Sequence, residues 1–284
     1  MEEWPTGKVE RAGALVRRVL APNPSTFTFT GTQTYIIGQG EVAVIDPGPA
    51  IDSHIGSLMS ALGDEQVTAI LCTHTHRDHS PASRALRERT GAPVVGCAAL
   101  VIEDEGARSD EAFDPDYRPD RVLGEGDTVS GPGWTLEAVA TPGHTSNHLC
   151  FALRETRALF SGDHVMGWST TVVAPPDGDM AEYMRSLDKL LARQDAVYFP
   201  AHGPAVEEPR RHVGRLIEHR RQRERQILAE VEAGEGRIEA MVPRIYAQVD
   251  PGLHPAAARS VLAHLLDLET RGIVSRREGR WSVA

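Results

Sequence analysis

A short stretch at residues 71–80, LCTHTHRDHS, concentrates side chains that bind metal ions. His74, His76, Asp78 and His79 directly follow the apolar, β-prone segment VTAIL. His74 and His76 are two residues apart, so in an extended chain they point the same way and can bind one ion. Asp78 and His79 come where the chain turns into its next helix, so they can face a second ion. The stretch therefore predicts half of a two-metal site.

Four further apolar strands end in a side chain of this kind. They are VAVIDPG with Asp46, EAVATPGHTSNH with His144, ALFSGDH with Asp163 and AVYFPAHG with His202. Side chains at strand ends converge while the sheet fixes their spacing, as a rigid metal site requires. We expect His144 to complete the ligands of the first ion, His202 those of the second, and Asp163 to bridge the two. Nitrogen and oxygen ligands favour two Zn²⁺ ions, with Mn²⁺ or Fe as alternatives.

Such a site predicts hydrolysis. Two cations about 3.5–4 Å apart generate a hydroxide at neutral pH and stabilise the group that it attacks. The bridging hydroxide would attack a carbonyl or phosphoryl centre, zinc would stabilise the oxyanion, and the second ion would hold the leaving group.

Charge is distributed unevenly along the 284 residues, whose formal net charge is −10. Residues 1–208 carry 16 basic and 30 acidic side chains, a net charge of −14, whereas residues 209–284 carry 14 and 10, a net charge of +4. The shift predicts two domains, 1–208 and 209–284. The acidic larger part argues against broad, non-specific binding of nucleic acid by that part.

The cellular setting can also be predicted. No stretch approaches the roughly 20 apolar residues of a membrane span, and the first residues do not form a signal peptide. The three cysteines, an odd number in apolar surroundings, are typical of buried free thiols. We therefore expect a cytoplasmic protein with no membrane partner.

Strand-like runs alternate with isolated helices in the larger part. FTFTGTQTYIIG at 27–38 is expected to be β-structure with turns at Gly31 and Gly38. Helices are expected over 52–62 and 80–91, the second with Ser80 as its cap. The acidic run 103–121 is expected to be a solvated surface loop. Both halves place a helix before a strand that ends in His, which predicts two sheets covered by helices, an αββα sandwich of the α+β class.

The last part of the chain has a different pattern. A long Arg-rich helix is followed by two shorter helices and a β-hairpin that turns at REGR. This order matches a winged-helix module. Its expected recognition helix has only Arg259 and Arg271 as basic residues, too few for reading a groove. A lid, a homodimer contact and a nucleic-acid contact all remain open as roles for this module.

The motifs together resemble the metallo-β-lactamase superfamily over about residues 12–205. THTHRDHSP is followed by separate His, Asp and His strand ends in that family's order. The segments APNPS, GTQTYIIG, VIDPGP, TPGHTSNH and HRRQRERQIL resemble, more narrowly, the β-lactamase-like protein 2 group. Gln33 departs from that group's usual GTNTY. The resemblance implies that Asp78 also orients the attacking water, and that Asp46 is a buried carboxylate behind the ligands, although capping of the DPG turn is an equal alternative for Asp46.

Single-stranded RNA is the first candidate substrate, and a thioester or lactone is the alternative. The resemblance and the basic module favour a phosphodiesterase that cleaves single-stranded RNA, whereas the acidic larger part favours a small ester substrate, a thioester or lactone, with chemistry like that of glyoxalase II. Asp163 stands where the commonest class B β-lactamases have Cys, which argues against β-lactamase activity. A binding module with a degenerate hydrolase domain is the non-enzyme alternative, and the complete ligand set counts against it.

Further residues are expected near the site. His148 is expected to pack beneath the site. His164, at the expected rim, is a candidate for a substrate contact. So are Trp168, Ser169 and Thr170, which lie on an aromatic-bearing loop.

Overall fold

The computed structural model describes residues 5–100 and 113–284, and the chain divides into two compact units. The first unit comprises Met1–Thr141, Asn147–Ser169 and Gln194–Pro209. The second comprises Pro142–Ser146, Thr170–Arg193 and Arg210–Ala284. The second unit thus contains two earlier segments besides the C-terminal part of the chain.

A seven-stranded sheet is built in simple chain order. Its strands are β1 (Val9–Arg11), β2 (Val16–Leu20), β3 (Gln33–Gln39), β4 (Glu41–Ile45), β5 (Gln66–Cys72), β6 (Val94–Gly96) and β7 (Arg121–Val122). β1 to β4 pair antiparallel, and β4 to β7 pair parallel. The parallel pairs need crossovers, and the helices α1 (Asp52–Leu62) and α2 (Ala82–Thr90) supply two of them. The carboxyl ends of β4 and β5 therefore meet at one edge of the sheet.

A five-stranded sheet completes the first unit. In spatial order β12-β11-β10-β9-β8, its strands are β8 (Thr128–Gly131), β9 (Trp134–Ala140), β10 (Leu149–Leu153), β11 (Ala158–Gly162) and β12 (Val197–Pro200). The two sheets share one hydrophobic core. Within it the ring of Tyr35 on β3 lies 5.0 Å from that of Phe160 and 5.7 Å from that of Phe199. The first unit is thus a two-sheet sandwich.

The second unit contains four helices and a hairpin: α3 (Met180–Ala192), α4 (Pro209–Glu232), α5 (Ile238–Ile245), α6 (His254–Thr270), β13 (Val274–Arg277) and β14 (Arg280–Val283). Only the first residue of α4, Pro209, falls in the first unit. Ile227 and Val231 of α4 belong to the same core cluster as Val261 and Trp281, so α4 and the last elements are packed together. The predicted turn at REGR is confirmed. Its central residues, Glu278 and Gly279, both have positive φ, as a two-residue hairpin turn needs.

In the β-structure expected over 27–38, the strand begins only at Gln33, so the strand expected before the turn at Gly31 is wrong. The Asn23 carboxamide accepts a hydrogen bond from the Thr32 backbone N–H and donates one to the Thr32 hydroxyl, both at 2.9 Å. Gly31 has φ +134°, and a Cβ there would lie 2.1 Å from the Ala21 carbonyl oxygen. These contacts hold the segment before β3 as a loop rather than a strand.

Two expectations near α2 are also wrong. Ser80 makes no cap, because its hydroxyl donates instead to the Asp114 carboxylate at 3.0 Å. Asp114 is buried and also accepts from Arg84 at 3.0 Å, so this part of the acidic run 103–121 is not solvated. Residues 103–112 of that run lie outside the described residues.

The three cysteines are buried thiols that form no disulfide, as predicted. Within residues 5–100 and 113–284, no helix combines the length and the apolar character needed to cross a bilayer.

Candidate metal centre

The seven predicted ligands lie in two clusters. In each cluster one potential ligand atom per residue lies within 4.8 Å of all the others. The His144 cluster consists of His74, His76, His144 and Asp163, and the His202 cluster consists of Asp78, His79 and His202. Each cluster combines imidazole nitrogens with a carboxylate, a set of ligands that suits Zn²⁺ and related cations.

Asp163 connects the two clusters. Its Oδ1 lies 3.2 Å from His202 Nε2 and 3.5 Å from His79 Nε2, although Asp163 itself belongs to the other cluster. Asp78 Oδ2 lies 3.1 Å from the same nitrogen of His202 and 3.3 Å from that of His79. A carboxylate that reaches both clusters has the position that a bridging ligand requires.

Asp46 organises the edge of the sheet where β4 and β5 end. Its Oδ1 accepts a hydrogen bond from the Thr73 N–H at 2.8 Å, and its Oδ2 accepts from the Thr73 hydroxyl at 2.8 Å and from His79 Nδ1 at 3.0 Å. The residue is buried and has φ +47°, a conformation that Asp tolerates better than most side chains. The carboxylate thus keeps the proton of His79 on Nδ1 and leaves Nε2 free to face the cluster.

Other ligands are oriented in the same way, through the ring nitrogen that does not face the cluster. His144 Nδ1–H donates to the Val172 carbonyl at 2.7 Å, and His202 Nδ1–H donates to the Gly31 carbonyl at 3.3 Å. When each ring is neutral, its lone pair is therefore on Nε2. Anchoring one nitrogen by a protein acceptor while the other carries a lone pair is the usual arrangement of metal-binding histidines, so the residues present fit two cations.

Electrostatics in the metal-free protein link the carboxylates to the histidines. Burial alone would lower the pKa of His202, but the Asp163 and Asp78 carboxylates outweigh it and raise that pKa to about 10. Burial likewise raises the pKa of Asp163, yet His202 and His79 bring it well below its usual range. The same carboxylates also raise the pKa of His79, so the metal-free His202 cluster is stabilised by protons that a cation must displace.

We expect the metal-free protein to lose stability as the pH rises from 6.5 to about 10. A folded-state pKa above the unfolded value contributes stability that is complete below the unfolded pKa and is lost as the pH rises through the folded pKa. Thermal unfolding of the chelator-treated protein across this range measures the effect, and His202→Gln should reduce it. An unfolding temperature that is independent of pH, or that depends on pH equally in the variant, would contradict it. Because bound cations replace these protons, zinc uptake should release protons to the buffer.

Gln33 holds the loop that carries His202. Its Nε2 donates to the carbonyls of Pro200 at 3.1 Å and of Gly203 at 2.7 Å, which flank His202. Its Oε1 accepts from Arg18 at 3.0 Å. Gln33, which departs from the GTNTY pattern, is therefore a buried residue that holds the His202 loop in place by hydrogen bonds.

Replacing Gln33 by Ala should lower the free energy of unfolding by about 1–3 kcal/mol, because buried carbonyls lose their donors. It should also weaken zinc binding by the His202 cluster by roughly 10-fold, because the ligand loop loosens. Denaturant unfolding and zinc titration measure the two effects. Gln39→Ala, at the exposed opposite end of β3, is the matched control. Equal stability and equal zinc affinity of the two variants would show that Gln33 does not hold the His202 loop.

His148 and His164 both lie beneath the site. His148 Nε2 accepts from the backbone N–H of Asp163 at 3.2 Å, and its Nδ1 lies 2.8 Å from the Thr141 hydroxyl. His148 thus packs under the bridging residue. His164 is fully buried, so its predicted position at the rim is wrong. The strand end turns at Asp163 and directs the next side chain inwards.

The loop after His164 carries the other predicted substrate contacts. Trp168 is 36% exposed, and its ring stacks on Phe29 with centroids 4.9 Å apart. Ser169 and Thr170 are half-buried. Trp168 also borders the His202 loop, since a Cβ on Gly203 would lie 2.9 Å from the indole. An exposed aromatic surface therefore adjoins the metal ligands.

Thr32 is a site residue that the sequence analysis missed. It is buried, and its hydroxyl donates to Asp78 Oδ2 at 3.2 Å. Asn23, in the APNPS segment that the sequence analysis singled out, holds Thr32 in place. The sequence alone does not connect either residue to Asp78, because that contact depends on the shape of the loop.

Comparisons with known proteins agree with this geometry. The family model described as metallo-beta-lactamase superfamily matches residues 27–202, and the one described as beta-lactamase associated winged helix domain matches residues 238–281. The chain is 33% identical over 279 residues to the beta-lactamase-like protein 2 homolog of Drosophila melanogaster, covering 93% of this chain and 91% of that protein. It is 35% identical over 217 residues to an atrochrysone carboxyl ACP thioesterase of Aspergillus fumigatus, covering 75% of this chain and 64% of that protein.

A solved structure supports the fold. The crystal structure of a beta-lactamase domain protein from Burkholderia ambifaria superimposes with a TM-score of 0.83 at 20% identity, covering 98% of this chain and 94% of that one. The predicted sandwich with a C-terminal winged helix is therefore confirmed. The chain belongs to the metallo-beta-lactamase superfamily of hydrolases, with paired His/Asp clusters at its metal centre and the associated winged helix domain near its end.

Proposed function

We propose that the chain is a two-zinc hydrolase that cleaves thioesters. The position of Asp163 is the observation that supports two bound ions. Its carboxylate belongs to the His144 cluster and lies 3.2 Å from His202 Nε2. Two cations held there would lower the pKa of a water and polarise the carbonyl that it attacks.

The protein's own residues then position the reaction. Asp78 has 27% of its side chain exposed, more than either histidine of its cluster. Burial raises the pKa of Asp78, but His79 and His202 bring it well below its usual range, so the side chain is ionised at neutral pH. Thr32 donates to Oδ2 and fixes the carboxylate. Asp78 is therefore suited to accept a hydrogen bond from the attacking water and to orient it.

Charge pairing in the second unit supports a substrate other than nucleic acid. Several arginines on and near α4 contact carboxylates, which reduces the positive potential that a phosphate backbone would need. The pairs are Arg225 with Glu218 at 2.7 Å, Arg244 with Glu230 at 2.7 Å, and Arg271 with Asp267 at 3.1 Å and with Glu224. The thioesterase among the relatives adds independent support for a thioester substrate.

Single-stranded RNA is the second candidate substrate. The match of a winged helix domain to residues 238–281 favours it, because this module commonly contacts nucleic acid. The 14 basic side chains after residue 208 are also consistent with it.

A substrate panel tests the proposal. The zinc-loaded protein is offered an acyl-glutathione and an acyl-pantetheine thioester, a lactone, a single-stranded RNA oligomer and a chromogenic β-lactam, each beside Asp78→Ala. We expect thioester turnover that is lost in the variant, and no β-lactam turnover. RNA cleavage without thioester turnover would reject the thioester proposal in favour of the second candidate. No turnover of any substrate would count against both.

A further inference from the structure

Arg220, in the middle of α4, is a buried cation with no carboxylate partner in the part of the chain that the structure describes. It is 3% exposed and forms no ion pair with any carboxylate in residues 5–100 or 113–284. Its Nη2 donates to the Thr171 carbonyl, its Nε has no hydrogen-bond partner, and its guanidinium lies 5.1 Å from the centre of the Tyr183 ring. Burying a charge with so few partners lowers stability, so stability alone does not explain Arg220 at this position.

The segment that Arg220 binds is also the one that orients a metal ligand. Thr171, whose carbonyl accepts from Arg220, is buried and directly precedes Val172. The Val172 carbonyl accepts the Nδ1–H of His144 at 2.7 Å. Arg220 and His144 therefore bind consecutive carbonyls of one short segment, within the second unit.

The turn that carries His144 rests on the other group that Arg220 contacts. Gly143 has φ +134°, and a Cβ there would lie 2.3 Å from the backbone nitrogen of Tyr183, so the turn lies directly on α3. Next to it, the Asp179 N–H donates to the Gly143 carbonyl at 2.9 Å. The ring of this same Tyr183 lies beneath the Arg220 guanidinium. Arg220 thus touches both supports of His144, the 171–172 segment and α3.

We propose that Arg220 is a positioning residue for the metal ligand His144. Through the Thr171 carbonyl and the Tyr183 ring, it fixes the carbonyl that orients the imidazole and the helix on which the ligand turn rests. The long C-terminal helix thereby contributes to the affinity of the His144 cluster for its ion. This inference rests on the proposed two-metal site, and it gives the C-terminal part of the chain a function that requires no nucleic acid.

Zinc titration of the full-length, metal-free protein against a chromophoric chelator tests the inference without a substrate. We expect Arg220→Met to weaken one of two binding steps by about 10- to 100-fold, as loss of a group that orients a metal ligand typically does, and to leave the other step nearly unchanged. Arg220→Lys, which keeps a donor for the Thr171 carbonyl, should recover most of the loss.

Arg223 is the matched control. It lies one turn further along α4, donates to the Ile245 carbonyl at 2.9 Å and stacks on Tyr246 at 4.4 Å, but its partners are remote in sequence from the His144 turn. Arg223→Met should leave both steps unchanged. If Arg220→Met does not fold, Arg220→Gln replaces it, because its shorter polar side chain does not reach Thr171, and the same loss is expected.

Wild-type affinity in Arg220→Met or Arg220→Gln, or equal weakening by Arg223→Met, would overturn the inference. Failure of the wild-type protein to bind two zinc ions would instead reject the two-metal proposal itself.

Discussion

Replacing Asp163 by Asn is expected to lower kcat/KM for the hydrolysed substrate by about three orders of magnitude. The carboxylate is the group that both clusters share, with its Oδ1 3.2 Å from His202 Nε2 and 3.5 Å from His79 Nε2. An amide keeps the shape but removes the charge that neutralises two cations, and a two-ion centre contributes several kcal/mol to the transition state. Steady-state kinetics with the best substrate of the panel, together with zinc content per chain, measures the effect.

Asp188→Asn is the control for this change, since Asp188 is exposed on α3. The variant of Asp163 should also retain fewer than two zinc ions after dialysis. Normal activity with two retained ions would show that Asp163 does not bridge.

Replacing Asp46 by Asn should weaken zinc binding by the His202 cluster by about 100-fold and lower activity at least as much. If the amide oxygen keeps the hydrogen bond from the Thr73 N–H, the NH₂ group faces His79 Nδ1, where the carboxylate of the native residue accepts a hydrogen bond at 3.0 Å. Two donors cannot bond, so the proton of His79 moves to Nε2 and removes the lone pair that faces the cluster. The fold itself should persist, because Asn adopts the positive φ of this position as readily as Asp.

Zinc titration and circular dichroism of Asp46→Asn separate these two effects. Asp64→Asn, on the exposed turn before β5, is the matched control. Unchanged zinc affinity in a folded Asp46→Asn protein would refute the proposed control of the His79 tautomer.

The ligands could be predicted because their signal is local. Each follows an apolar strand, and His74 and His76 are spaced for one side of an extended chain. Helix α1 was predicted with its observed bounds, since Ile55, Leu58 and Leu62 repeat at helical spacing and Gly63 follows them. Such features depend only on neighbouring residues, so they can be recognised in the sequence.

Features that depend on distant partners could not be predicted. Ser80 has the sequence context of a helix cap, but its hydroxyl binds Asp114, 34 residues away. The carbonyl that orients His144 lies 28 residues along the chain, and Arg220 lies 49 residues beyond the carbonyl that it binds. Periodicity and spacing do not encode pairings of this range, which is why the supports of the site appear only in the structure.

Zinc content per chain is the most direct test of a two-metal centre built from these residues. The purified wild-type protein, loaded with zinc and dialysed, is compared with His144→Ala and His202→Ala by metal analysis. We predict two zinc ions per wild-type chain and about one in each variant, because each change removes a ligand from a different cluster. A wild-type chain that holds one ion or none, or variants that both keep two, would contradict the two-metal centre.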